Sequence, residues 1–155
     1  MKQKTQVHAE DGKQDLVITR HFDLPLELLF KAYEEAEFIE QWMGTKVLKL
    51  ESRKHGSYSF ETSNPKGDVA FTATGVIHEF ISNQKIIRTF EMENMQFGVQ
   101  LEVYEFEALT AGTSKLSMHV IYESVEQRDQ VLKLPFTQGI NMAHNRIQKI
   151  FSTIS

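Results

Sequence analysis

Apolar and polar residues alternate from Asp15 to Phe22, with Leu16, Ile18 and Phe22 on one face, and that period of two predicts a strand. Upstream, Thr5-Gln-Val-His-Ala precedes Glu10-Asp11-Gly12-Lys13, whose Asp-Gly suits a turn that would fold the segment back as a hairpin. The competing expectation is a frayed tail. Beyond Asp23 and Pro25 the period lengthens, and Leu26, Leu29, Phe30 and Tyr33 predict a helix from about Pro25 to Glu34. Phe38, Ile39 and Trp42 mark a second short helix, which Gly44 ends.

From Thr45 to about Tyr122 the alternation returns. The predicted strands are Lys46–Ser52, Ser57–Ser63, Asp68–Phe80, Lys85–Glu93, Phe97–Leu109 and Thr113–Glu123. They are separated by short breaks such as His55-Gly56, Asn64-Pro-Lys-Gly67, Ser82-Asn83 and Ala111-Gly112. Such connectors cannot hold the crossover that a parallel pair needs, so the expectation is an antiparallel meander of these six strands, which with Asp15–Phe22 makes a sheet of about seven. Its apolar face reads as Tyr58 and Phe60 on one strand and Phe71, Ala73, Gly75 and Ile77 on the next. Val99, Leu101 and Val103, then Leu116, Met118, Val120 and Tyr122, continue that face.

A sheet with one wet face must have the other covered. The end of the chain offers a cover: Val125–Leu134 reads as helix, Pro135 interrupts or kinks it, and Ile140, Ala143, Ile147, Ile150 and Ile154 form a stripe beyond. The expectation is an α+β fold in which one long C-terminal helix lies on a curved antiparallel sheet. No repeat or linker divides the 155 residues, which predicts a single domain with residues 1–14 as an extension or hairpin strand.

Composition narrows the classes of function. With 17 Lys and Arg against 21 Asp and Glu the net charge is -4, which supplies no field for a phosphate backbone and disfavours nucleic acid as a partner. The absence of cysteine excludes disulfides and thiolate chemistry. The opening MKQKTQVHAEDGKQ has no apolar signal core, and no apolar run reaches the ~20 residues of a membrane span, so a cytoplasmic protein without membrane contact is expected. Six histidines, at 8, 21, 55, 78, 119 and 144, show no metal-ligand spacing, and no cofactor fingerprint occurs.

Several fragments, in order, resemble one family. Ile18-Thr-Arg-His-Phe-Asp-Leu-Pro25, Phe30-Lys-Ala32 and Glu40-Gln-Trp-Met-Gly44 look like the opening of bacterial proteins similar to the C-terminal domain of the activator of Hsp90 ATPase. His55-Gly56 before Tyr58-Ser-Phe60, Gly75-Val-Ile-His-Glu79, Gly112-Thr-Ser-Lys-Leu116 and Gly139 fall where that family has similar elements. Trp42-Met43-Gly44-Thr45 departs from it, since members often carry two tryptophans followed by Gly-Pro. The resemblance implies the helix-grip fold (β-α-α-β6-α) shared with START, pollen-allergen and polyketide-cyclase-like proteins, and with it a hydrophobic cavity between sheet and helix.

A helix ~10 Å across cannot fill a concave sheet wider than itself, which is the physical reason a void would persist. Its expected walls are Trp42, Tyr58 and Phe60, then Phe71, Ile77, Phe90 and Met92. Leu101 and Met118 extend the sheet side, and Phe136, Ile140, Ala143 and His144 face them from the helix. The competing expectation is that these side chains simply fill the core. Arg88 shares parity with Ile86, Phe90 and Met92, so it either enters the cavity, ready for a carboxylate or phosphate, or pairs with Glu79 or Glu102 near an edge. Arg20 has a weaker form of the same ambiguity.

The expected partner is therefore a small hydrophobic or amphipathic molecule, without a metal or cofactor. One alternative is a module that assists a chaperone, as the family resemblance suggests. Another is a cyclase-like or hydrolytic enzyme drawing on Tyr58, Glu102, Tyr104, Arg88 or His144, although these form no recognisable catalytic pattern in the sequence. An exposed edge strand would also allow two copies to pair.

Overall fold

The computed structural model describes residues 4–93 and 95–153. Two strands open the chain, β1 (Gln6–His8) and β2 (Asp15–Phe22), followed by the helices α1 (Leu26–Glu34) and α2 (Ala36–Met43). The meander comprises β3 (Lys46–Leu50), β4 (Ser57–Ser63), β5 (Val69–Ile81), β6 (Lys85–Glu93), β7 (Val99–Ala108) and β8 (Ser114–Ile121). Two helices close it, α3 (Val125–Lys133) and α4 (Phe136–Ser152). The result is an α+β helix-grip fold.

One antiparallel sheet runs in the order β1-β2-β8-β7-β6-β5-β4-β3. The meander accounts for six neighbours in sequence order, and β2 then joins its far edge, with Leu16 opposite Val120 and Ile18 opposite Met118. The hairpin expected at the N-terminus is present: β1 pairs with β2 through Val7 opposite Ile18, and this gives eight strands rather than seven. Leu16, Ile18, Phe22 and Leu116 are completely buried beneath the helices, as the alternation requires. Gly44 takes a left-handed φ of 65° and returns its N–H to Glu40, the conformation that ends α2.

The expected single C-terminal helix is two. Leu134 stands before Pro135 and adopts an extended backbone, ψ 164°, because the proline ring disfavours helical geometry in the residue ahead of it. The Ser124 hydroxyl accepts the N–H of Gln127 at 3.1 Å and starts α3. On α4, Ile147 and Phe151 reach the core, while Ile140 and Ala143 are half-buried. Ile154, the last residue of the predicted stripe, lies outside the described residues.

The inner face of β7 is also the opposite of the one expected. Val99, Leu101 and Val103 lie outward, with Leu101 37% exposed, whereas Glu102 is 4% exposed and Tyr104 and Phe106 are buried. The ladder sets this parity: Glu102 is opposite Arg88, Tyr104 opposite Ile86 and Met118, and Phe106 opposite Leu116. Both faces of β7 contain apolar residues, so alternation alone does not say which is inside. Farther along, β5 changes face at an irregularity between Ile77 and Glu79, which brings Phe80 onto Phe30 at 5.5 Å.

The chain's beginning fastens α4. Thr5 donates its N–H to Asn141 Oδ1 at 2.9 Å, and its hydroxyl lies 2.7 Å from His144 Nδ1. Arg20, buried on β2, donates to Thr5 Oγ1, to Asn141 Oδ1 at 3.2 Å and to Asn145 Oδ1 at 3.0 Å. Burial, with the Arg20 charge adding to it, pushes the His144 imidazole down to a pKa of about 3, so it is neutral here.

Candidate ligand-binding cavity

Between the helices and the inner faces of β2 and β6–β8 lies a cavity of about 540 Å3. Most of its wall is apolar. Trp42 and Met43 close one side at the end of α2, and Phe90, Met92, Met118 and Val120 form the floor. Phe97, Val131 and the Leu134-Pro135 break border it, and Phe136, Ile140 and Ala143 form the roof. The Trp42 indole is oriented by donating its N–H to the Ala32 carbonyl at 2.7 Å, and its ring centre lies 5.1 Å from that of Tyr33. Arg146 stands at the rim, exposed, with Nε donating to the Trp42 carbonyl at 2.7 Å.

One cluster interrupts the apolar wall. Strand pairing puts Arg88 directly across from Glu102, and Arg88 Nε donates to Glu102 Oε1 at 2.8 Å. Arg88 Nη2 donates to the Tyr104 hydroxyl at 2.8 Å, which donates in turn to Glu102 Oε1 at 2.9 Å. Gln100 supplies a third donor, Nε2 to Glu102 Oε2 at 2.7 Å. Three donors on two oxygens is the pattern of an ionised carboxylate. The guanidinium also lies 4.8 Å from the centre of the Tyr58 ring, 5.0 Å from that of Tyr104 and 5.7 Å from that of Phe90.

The electrostatics follow from this enclosure. Burial alone would lower the Arg88 pKa, but the Tyr104 and Tyr58 hydroxyls and the Glu102 carboxylate outweigh it and hold the guanidinium charged. Burial raises Tyr104 well above the ordinary phenol range, against the pull of Arg88. Tyr33, Tyr58 and Tyr122 are raised for the same first reason, so all four phenols stay protonated at neutral pH.

The family model described as activator of Hsp90 ATPase homolog 1-like protein matches residues 23–152. The chain belongs to that family. Solved structures similar to this family member agree on the fold. A crystal structure of a Rhodobacter sphaeroides protein superposes with a TM-score of 0.86 at 19% identity, covering 97% of this chain and 99% of that one. A solution structure from Arthrobacter aurescens gives 0.86 at 15% identity, over 96% and 91% of the two chains. A Nitrosomonas europaea crystal structure gives 0.79 at 16%, over 95% and 99%. Among curated proteins, none matches.

In this member of the activator of Hsp90 ATPase homolog 1-like family, the residues expected from sequence divide into two groups. Trp42 and Met118 lie on the cavity wall, together with Arg88, Phe90 and Met92 of β6. Phe136, Ile140 and Ala143 meet them from α4. Tyr58 does not line the cavity: its ring supports Arg88 from behind, and its hydroxyl donates to the Thr89 carbonyl. Phe60 packs on Tyr58 at 4.9 Å, Ile77 is in the core, and Phe71 is half-buried away from the wall.

Leu101 faces out, and His144 turns to Thr5 on the far flank of α4. Arg20 likewise serves the α4 anchor rather than the cavity. For Arg88 the two expectations coexist, since it enters the cavity and pairs with Glu102, away from any edge.

Sequence reasoning did not place Tyr33, Gln100 or Tyr122 on the wall, and it treated Glu102 and Tyr104 only as loose polar candidates. The available signal was the Arg88–Glu102 partnership, which fixes the parity of β7 once the register of β6 and β7 is known. Among the described residues no group of three His, Cys, Asp or Glu side chains is arranged to hold a metal ion. No helix among them is long and apolar enough to cross a membrane.

Proposed function

We propose that this chain, a single domain, binds a small and largely apolar molecule between sheet and helices, as a cytoplasmic carrier or sequestering protein. The observation that supports this reading is the 540 Å3 cavity, walled mainly by aromatic, aliphatic and methionine side chains around one polar cluster. The mechanism is burial. Hiding a few hundred Å2 of apolar ligand surface at ~25 cal/mol per Å2 contributes several kcal/mol before ordering costs, which corresponds to roughly micromolar affinity.

The test is a volume change. Ala143→Phe places a ring in the cavity roof, and it is expected to abolish binding of the neutral dye Nile red while leaving the free energy of unfolding within about 1 kcal/mol of wild type. Native mass spectrometry of the purified protein should show a retained hydrophobic compound that the variant lacks. Unchanged dye binding in a folded Ala143→Phe protein would remove the cavity as the binding site.

A second reading is a module that docks on a chaperone. It draws on the family's description and on Val99 and Leu101 of β7 and Val76 of β5, which are exposed on the outer face on either side of β6. Pull-down with purified Hsp90, and its loss in Leu101→Lys, would favour it over the carrier.

A further inference from the structure

Arg88 in an apolar pocket invites an anion, and the sequence supports that expectation. The surroundings of Arg88 argue for another chemistry. Resting on the cavity as a ligand site, we infer that its occupant presents a neutral hydrogen-bond acceptor to Arg88, such as an ester, ketone or hydroxyl oxygen, and that carboxylates and phosphates are rejected.

Charge balance is the first ground. Arg88 and Glu102 are 2.8 Å apart, with side chains 11% and 6% exposed, so the cluster is a closed ion pair with no net charge. A second anion brought to Arg88 would lose its hydration and meet the Glu102 carboxylate as well as the guanidinium. A neutral oxygen loses far less water and gains the same donor.

The unspent donors are the second ground. Arg88 Nε and Nη2 are committed to Glu102 and Tyr104, whereas Nη1 has no acceptor among the described residues and is left for an occupant. Tyr33 and Tyr122 also line the wall, and their hydroxyls have no hydrogen-bond partner among the described residues. Both stay protonated, because burial raises them. Three available donors beside a neutralised charge suit carbonyl or hydroxyl oxygens. Arg146, the other cation of the wall, is exposed at the rim, where water screens it and an anion gains little.

The experiment compares probes of one chain length: methyl decanoate, decan-1-ol and decanoate at neutral pH, followed by the fluorescence of the single tryptophan, Trp42, which is on the wall. The ester and the alcohol are expected to bind at least ~10-fold more tightly than decanoate. Glu102→Gln keeps the shape, removes the balancing charge, and should bring decanoate level with the ester or ahead of it. Decanoate binding as tightly as the ester in wild type would overturn the inference while leaving the cavity a binding site. So would a preference for the ester that Glu102→Gln leaves unaltered. If decanoate binds best and loses its advantage in Arg146→Gln, the anion sits at the rim and the inference again fails. If none of the three probes perturbs Trp42, the carrier reading itself falls and this inference with it. Should Glu102→Gln fail to fold by circular dichroism, the wild-type ranking of the probes decides alone.

Discussion

Replacing Glu102 with leucine removes the acceptor of three hydrogen bonds and leaves the Arg88 guanidinium in a site where its side chain is 11% exposed. Breaking one half of such a buried pair costs about 3–5 kcal/mol, most of it the desolvation of the charge left behind. Arg88→Met should cost a similar amount for the mirror-image reason. The double variant leaves no charge and refills the space with apolar atoms, so it should lie within about 2 kcal/mol of wild type, a residue of cost remaining in the Tyr104 hydroxyl. The double-mutant cycle then gives a coupling of several kcal/mol.

Urea unfolding followed by circular dichroism reads the free energies of all four proteins, and in thermal unfolding of a chain of 155 residues each single variant should melt lower by on the order of 10 °C. Single variants costing under about 1 kcal/mol, with a double equal to their sum, would refute the reasoning, because that is how a hydrated surface pair behaves.

Two further outcomes are expected. His144 has a folded pKa of about 3, below the unfolded value, so the unfolded chain binds the extra proton between roughly pH 6.5 and 3. Its contribution is complete above that window and is lost as pH falls through it, at up to ~1.4 kcal/mol per pH unit; His144→Gln should flatten the acid limb of the urea midpoint curve by that slope, and an unchanged slope would contradict it. At Gly75 a Cβ would lie 1.9 Å from the Thr89 carbonyl oxygen and 2.6 Å from the Tyr58 hydroxyl oxygen. Gly75→Ala should therefore destabilise the protein by ~3 kcal/mol or more and weaken the support beneath Arg88; a wild-type midpoint would show that β5 and β6 part easily.

Element order was legible in the sequence because periodicity reports which residues share a face, and from Asp15 to Phe22 and from Phe136 onward one face is clearly the more apolar, Val17 and Met142 being the exceptions. The same signal failed on β7, where Val99, Leu101 and Val103 compete with Tyr104 and Phe106, and the pairing of Glu102 with Arg88, 14 positions away, decides. His144 was drawn toward the cavity for a related reason: its place beside the Ile140–Ile147 stripe was visible, but the Thr5 and Arg20 groups that claim it come from distant positions in the chain. The Leu134-Pro135 break was visible as chemistry, although its effect, two helices instead of a bend, depends on the backbone that Leu134 adopts.

The ties from Thr5 to Asn141 and His144 span 136 and 139 positions of the chain. Together with the β2–β8 ladder they mean that the enclosure is complete only when β1 and β2 have met α4 and β8. Closing so long a loop is entropically costly, while the hairpins of the meander form between sequence neighbours. A sheet formed ahead of that closure would leave Met118 and Phe90 without their roof, so α4 is the element on which the burial of the floor depends.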